Sequence, residues 1–327
     1  LKKKFCADLV MPNLPIRIAE PRVADNRGSV LSAAARFSLA APAKINLFLH
    51  VTGRRDDGYH LLESLVVFAE TGDRLVVEAS EDLSLAVTGP FAAGLPDGGP
   101  DNLVLRAASA LQHAGEIKTG AHIVLEKNLP VSSGIGGGSA DAAAALRALS
   151  VLWNIDPAFS RLAGIGLSIG ADVPVCLNGR PAMMTGVGET LRDAMAPPPC
   201  GVVLVNGGEG VSTPEVFAVR TASFTDNGDW QTPPTFDAFI EALTGRKNDL
   251  SDPAMSVSPV IGEVLAVLSE TRHCALARVS GSGGTCFGLY PDIASADHAS
   301  SAIKAAHPDW WCVATTFRDK VPMIVPA

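Results

Sequence analysis

Residues 129–146, LPVSSGIGGGSADAAAAL, run a short polar, glycine-dense turn straight into an alanine-rich helix. Such a turn gathers backbone N–H groups around a small concavity and, with the positive end of the following helix, can hold a phosphate. Gly134, Gly136, Gly137 and Gly138 allow dihedrals and close backbone approaches that a Cβ resists. Pro130, Ser132, Ser133 and Ile135 complete the turn, and Ser139 can cap the helix or face a phosphate or metal. The string is not GxxxxGK[ST], because no lysine follows, nor GxGxxG, which fails at Ser139. A flexible turn before a core helix would use the same residues, so the loop alone does not define a function.

Asp172 lies in GADVPV, between a glycine turn and a short apolar segment closed by Pro174. A carboxylate among apolar residues needs a partner or a task. It is either a turn or capping aspartate, or a general base that orients and deprotonates a hydroxyl attacking phosphorus. Lys44 opens the apolar strand AKINLFLHV behind Pro42. Solvation is the usual fate of a lysine, but here its ammonium could reach Asp172, favour the ionised carboxylate and stabilise charge on an alkoxide or phosphoryl oxygen. Asn46, two residues on, shares its strand face and could position substrate.

Tyr59 and His60, in DDGYH, offer an aromatic face and hydrogen-bonding edges suited to a planar heterocycle, or form an ordinary loop aromatic pair. Arg54, Arg55 and Lys127 either lend positive potential or are solvated surface charges. Gly281-Ser282-Gly283-Gly284 is a second small-residue loop, either closing over phosphate from another domain or turning a hairpin. Thr213, before Pro214, is a helix cap or a substrate contact. The histidines are scattered singly, and no metal-ligating residues are assigned.

The elements that must carry these groups alternate. Strands are expected at 43–51, 61–69, 74–79 and 122–126, and helices at 102–113 and from Ser139 to Trp153, with another helix before residue 168. The proline-rich APPPCG, residues 196–201, punctuates the chain. Beyond it come strand 202–206, helices 214–220, 235–243 and 257–270, strands 275–279 and 285–290, helix 293–306 and strand 311–316. This is an α+β pattern with antiparallel sheets.

A chain of 327 residues can bury a sizeable core as one large or two medium domains. Its formal charge of −8 implies no broad basic field, so no nucleic-acid partner is expected. The six cysteines, at 6, 176, 200, 274, 286 and 312, form no C-x2-C unit and read as reduced, mostly buried thiols of a cytoplasmic protein. Apolar runs stop well short of a membrane span. Residues 1–36, with three early prolines and interspersed charges, read as a loosely ordered extension.

In order, the strings APAKINLFL, GRRDDGYH, DNL, LPVSSGIGGGSAD, GADVPV, STPEVF, NDL and SGSGGTCF run collinearly from about Ala41 to Thr316. Together they resemble the GHMP small-molecule kinase superfamily, and within it the branch acting on a cytidyl alcohol of the non-mevalonate isoprenoid route. The resemblance implies an N-terminal lobe like the second domain of ribosomal protein S5 at 37–195, a ferredoxin-like lobe at 196–320 and a tail at 321–327. It implies Asp172 as base, Lys44 as its electrostatic partner, and Pro130 and Ser132 to Ser139 as the ATP phosphate cradle. Tyr59 and His60 resemble the cytidine-recognition pair, Asn46 and Thr213 further substrate contacts, and Gly281 to Gly284 the third loop of the superfamily. The implied reaction moves the ATP γ-phosphoryl, with Mg2+ accompanying ATP, to the 2-hydroxyl of 4-diphosphocytidyl-2-C-methyl-D-erythritol, in a monomer or weak homodimer. A mevalonate-like, homoserine-like or sugar substrate is the alternative, and GYH speaks for the cytidyl one.

The sequence departs from that pattern after the glycines. Ser139-Ala140-Asp141 stands where Ser-Ser-Asn is common, which removes one hydroxyl. Asp141 in the first helical turn suits the dipole yet would repel a phosphate, unless it points away or approaches Mg2+.

Overall fold

The computed structural model describes residues 35–95, 99, 101–155, 158–226 and 228–327. The expected extension at 1–36 therefore lies outside the described residues, apart from Ala35 and Arg36.

The first sheet is organised by two long antiparallel strands, β1 (Arg36–Arg54) and β2 (His60–Ser80). From Ala41 to Val51, β1 is buried on both sides, with Ala43, Ile45, Leu47 and Phe48 fully inaccessible. That burial explains why its sequence is apolar almost without alternation. The register slips between Pro42 and Lys44, where proline has no N–H to donate. Lys44 N instead donates to Ile135 O at 2.9 Å, which ties the strand to the glycine turn.

The sequence reading expected two strands broken at Thr71-Gly72-Asp73, but β2 runs through this segment without interruption. Gly72 makes that continuity possible: a Cβ there would lie 2.4 Å from Ala41 O on β1. Strands β3 (Leu83–Thr88) and β4 (Gly120–Glu126) follow β2 in the order β1-β2-β4-β3, the β3–β4 pair being parallel.

Helices α1 (Leu103–Ala114), α2 (Gly137–Leu152), α3 (Phe159–Ile169) and α4 (Val173–Asn178) cover this sheet and share one apolar core with it. Asn102 caps α1 by accepting from Val104 N. Nearly every residue of α2 is buried, which its run of alanines allows: small side chains let it pack on α1, α4, β1 and β2 at once. The segment expected to be closed by Pro174 is instead helix α4. Pro174 sits in its first turn, where a missing N–H costs nothing. Strands β5 (Ala182–Gly186) and β6 (Thr190–Asp193) extend the sheet beside β2.

Strand β7 (Gly201–Asn206) begins the second sheet, and helices α5 (Thr213–Val219), α6 (Phe236–Thr244), α7 (Ser251–Val257) and α8 (Val260–Glu270) follow it. Strands β8 (Leu276–Val279) and β9 (Thr285–Tyr290), helix α9 (Ile293–Ala306) and strand β10 (Trp311–Thr315) complete an antiparallel sheet of order β10-β7-β9-β8. The helix expected at 257–270 is α8, which starts three residues later; α7, which was not expected, ends at Val257, and Ser258-Pro259 separates the two because proline disfavours helix continuation into its own turn. The chain then returns to the first sheet. Strands β11 (Phe317–Arg318) and β12 (Val325–Pro326) pair with β2 and β1, so residues read as a tail are docked.

The two α+β lobes meet along β1. Leu49 N donates to Lys247 O, and Asp249 N donates to Leu49 O. The buried Arg278 guanidinium reaches across this seam, donating to the carbonyls of Leu47, Leu243 and Arg246.

Candidate active site

The lobes enclose a cavity of about 930 Å³. On its wall, Lys44 Nζ donates to Asp172 Oδ2 at 2.8 Å. These residues are 128 apart in sequence; the slipped register of β1 presents Lys44, and the turn before α4 presents Asp172. The lysine side chain is 5% exposed and the aspartate 35%, so the ammonium is held in the wall while the carboxylate faces the cavity. The lysine stem lies against Gly136, where a Cβ would come within 3.2 Å of Lys44 Cβ. A glycine at this point leaves the path of Lys44 open.

The glycine turn lines the same cavity, with Gly134, Gly136, Gly137, Gly138 and Ser139 on its wall. Helix α2 starts at Gly137, and its N-cap is Gly136 in the left-handed region with φ 64°. Ser139 is thus inside the first turn and does not cap the helix, contrary to the first of its two expected roles. The N–H groups of Gly137, Gly138 and Ser139 have no carbonyl within the helix to bind, which makes them available to an anion in the cavity. Ser133 Oγ donates to Pro130 O at 2.6 Å and folds the turn, while Ile135 is fully buried and anchors it.

The second small-residue loop is divided. Gly281 and Ser282 line the cavity, whereas Gly283 and Gly284 press against the first loop. Ser282 Oγ and Thr213 Oγ1 share a hydrogen bond of 2.6 Å, which joins the start of α5 to this loop. Asn46 Nδ2 donates to Ser64 Oγ at 2.7 Å, and Asn46 N donates to Ser280 Oγ. Asn46 Oδ1, on the cavity wall, is buried with no hydrogen-bond partner in the protein.

Tyr59 and His60 are not on the cavity wall. Tyr59 closes the turn after β1 and is 66% exposed. His60 stacks on Phe217 with ring centroids 4.8 Å apart, and Phe217 does line the cavity. Burial, then the guanidinium groups of Arg54 and Arg220, lower the His60 pKa and favour the neutral imidazole. Phe217 was passed over in the sequence reading, although STPEVF placed it on the same helix as Thr213. Arg54 donates to Gly58 O, and Arg55 pairs with Asp57 on the surface.

Lys127 is not a surface charge. It is 2% exposed and donates to both Asp73 and Asp141. Asp73 in turn accepts from Asn128 N at 2.6 Å and Leu129 N at 2.8 Å, which fixes the start of the glycine turn. Asp141 therefore points back to Lys127. Among these anchors, Asp73 escaped the sequence reading because TGD resembled a strand-breaking turn; an acid between two apolar strands was the available signal. Among the described residues, no group of three His, Cys, Asp or Glu side chains could hold a metal, and no helix is long and apolar enough to cross a membrane.

Comparison with known proteins identifies this arrangement. Residues 102–180 match the GHMP kinases N terminal domain, and residues 235–309 match the GHMP kinases C terminal family. The 4-diphosphocytidyl-2-C-methyl-D-erythritol kinase of Paramagnetospirillum magneticum is 54% identical over 277 residues, spanning 84% of this chain and 96% of its own. That of Parvibaculum lavamentivorans is 51% identical over 276 residues, spanning 83% and 95%. A crystal structure of 4-(cytidine 5'-diphospho)-2C-methyl-D-erythritol kinase superimposes with a TM-score of 0.70 at 36% identity, covering 86% of this chain and 98% of the other. Homoserine kinase from Cytophaga hutchinsonii, with a TM-score of 0.68 at 14% identity, shares the fold. With half of the aligned residues identical across nearly the full length of these relatives, the chain belongs to the 4-diphosphocytidyl-2-C-methyl-D-erythritol kinase family of GHMP kinases.

Proposed function

We propose that this chain transfers the γ-phosphoryl group of ATP to the 2-hydroxyl of 4-diphosphocytidyl-2-C-methyl-D-erythritol, with Asp172 as base and Lys44 as its electrostatic partner. The observation that carries this reading is the 2.8 Å contact between Lys44 Nζ and Asp172 Oδ2, on the wall of the cavity that the glycine turn also lines. Asp172 accepts the hydroxyl proton as the oxygen bonds to the γ-phosphorus; the bond from that phosphorus to the β,γ-bridging oxygen breaks, and ADP leaves. Lys44 holds the carboxylate in place by its hydrogen bond and offsets negative charge as it develops. The N–H groups at the start of α2 hold phosphate oxygens.

Substrate recognition falls to Phe217 on the cavity wall and to the rings beside it. Phe217 and His60 form a preformed aromatic shelf, and the exposed Tyr59 ring is free to stack on a cytosine. The unpartnered Asn46 Oδ1 and the Thr213–Ser282 pair offer polar contacts to the alcohol. Among the described residues no group of three His, Cys, Asp or Glu side chains could cage Mg2+; the ion would enter with ATP, with phosphate and water oxygens as its ligands. When bound it neutralises charge on the transferring group. The described cysteines are all free thiols, which supports a cytoplasmic setting. The test is ADP formation with the cytidyl alcohol, with a plain alcohol and with no acceptor. The reading requires turnover only with the first; equal ADP release in all three would overturn it.

A further inference from the structure

Asp141, in the second turn of α2, joins that helix to the residues that hold the start of the glycine turn. Its Oδ2 accepts from Lys127 Nζ at 2.9 Å, and the same ammonium donates to Asp73. All three residues are at most 2% exposed. The cluster thus sets two carboxyl groups against one ammonium, away from water. Two ionised carboxylates at hydrogen-bonding range would leave an uncompensated buried charge, so one of them retains a proton.

The surroundings decide which one. Asp73 receives three donors, from Lys127, Asn128 and Leu129. Asp141 receives Lys127 alone, and its Oδ1 is buried without a partner. Burial, opposed by Lys127 and reinforced by Asp73, pushes the Asp141 carboxyl up to about 8.

No other group overturns this assignment. From α4, Cys176 approaches, but burial raises its thiol pKa and keeps it neutral. Lys44 on β1 and Asp172 before α4 are paired with each other. The charged residues of α1 and α3, Arg106, His113 and Arg161, lie on exposed faces.

We propose that Asp141 is a positioning residue for ATP that works as an uncharged carboxylic acid: bonded to Lys127, it ties α2, from the helix's second turn, to the glycine turn without placing a negative charge beneath the phosphates. This rests on the glycine turn being the ATP phosphate site. Ionisation of Asp141 then sets a carboxylate on the wall of the same cavity, just beyond the N–H groups assigned to phosphate, and ATP binding weakens as pH rises.

The test has two arms, both on the full chain. In the nucleotide-free wild type, carbon-13 NMR of labelled aspartate follows every carboxyl from acid to alkaline pH; one carboxyl titrating near pH 8, and missing from Asp141→Asn, is expected. Calorimetry then measures ATP affinity from about pH 6.5 to about 9.5, with Asp141→Asn cancelling the titration of ATP itself. At neutral pH the variant should match the wild type within about threefold, and the wild type alone should lose roughly tenfold across the range, equivalent to one proton coupled by about one pKa unit. The proposal fails if all aspartates titrate in the acid range, if the two affinity profiles run parallel, or if a folded Asp141→Asn loses more than about tenfold at neutral pH. The first of these outcomes is read on the wild type alone and needs no variant. Absence of ATP binding by the wild type would instead overturn the functional reading.

Discussion

Gly134 and Gly283 meet backbone to backbone: a Cβ on Gly134 would lie 2.0 Å from the carbonyl oxygen of Gly283. Each comes from a different lobe, and each has positive φ, 73° and 104°. The glycine turn is therefore shaped by the second glycine loop, which acts as a mould for it as well as contributing Gly281 and Ser282 to the cavity.

Gly134→Ala should damage the phosphate turn twice. Alanine costs about 1–2 kcal/mol in the left-handed region, and its methyl group would strike a main-chain oxygen that cannot step aside. A lowered Tm together with a raised KM for ATP is expected from thermal denaturation and steady-state kinetics. Unchanged values for both would show that the two loops are not in contact in solution.

Asp172→Asn keeps the shape of the side chain and removes the base. Turnover should fall by about 10²–10⁴-fold, the usual contribution of a positioned general base, while ATP affinity measured by calorimetry stays near the wild-type value. A variant retaining more than about half of wild-type kcat would exclude Asp172 as base.

Phe217→Ala and Tyr59→Ala separate the two aromatic contributions. Tyr59 is largely exposed, so its loss should raise KM for the cytidyl alcohol without changing Tm. Loss of Phe217 also removes the stacking partner of His60, and should raise the same KM while making the His60 ring freer. KM for ATP should move in neither variant. A change confined to ATP kinetics would count against the base-recognition role.

The Asp141 carboxyl also makes stability depend on pH. Its pKa is raised from 3.8 to about 8 on folding, so the folded state holds a proton that the unfolded state releases. The stability from this proton is full below about pH 3.8 and is lost as pH climbs through about 8. Asp141→Asn cannot titrate, so its Tm should gain on the wild type across that window. Parallel Tm curves in calorimetric scans would contradict the buried-acid assignment.

Much of the machinery was legible because it is local. The glycine turn leading into α2, the strand carrying Lys44 and Asn46, and the alternating elements of the second sheet follow from spacing and backbone chemistry; strand 285–290 and helix 293–306 have the expected bounds. The errors fall where long-range packing overrides a local signal. Thr71-Gly72-Asp73 looks like a turn, yet Gly72 lets β2 pass against β1 and Asp73 finds buried donors from a segment more than fifty residues away.

Residue types and their order alone pointed to the kind of chemistry: a glycine turn, a carboxylate, a lysine and an aromatic pair in a collinear arrangement. Only the tertiary structure decided which charges are buried. Lys44 is held by Asp172 across 128 residues, Lys127 is sunk between two aspartates, and His60 leans on Phe217 rather than on the cavity itself. The reason is physical: composition specifies that a charge exists, but its partners and its exposure are set by which distant segments fold against it.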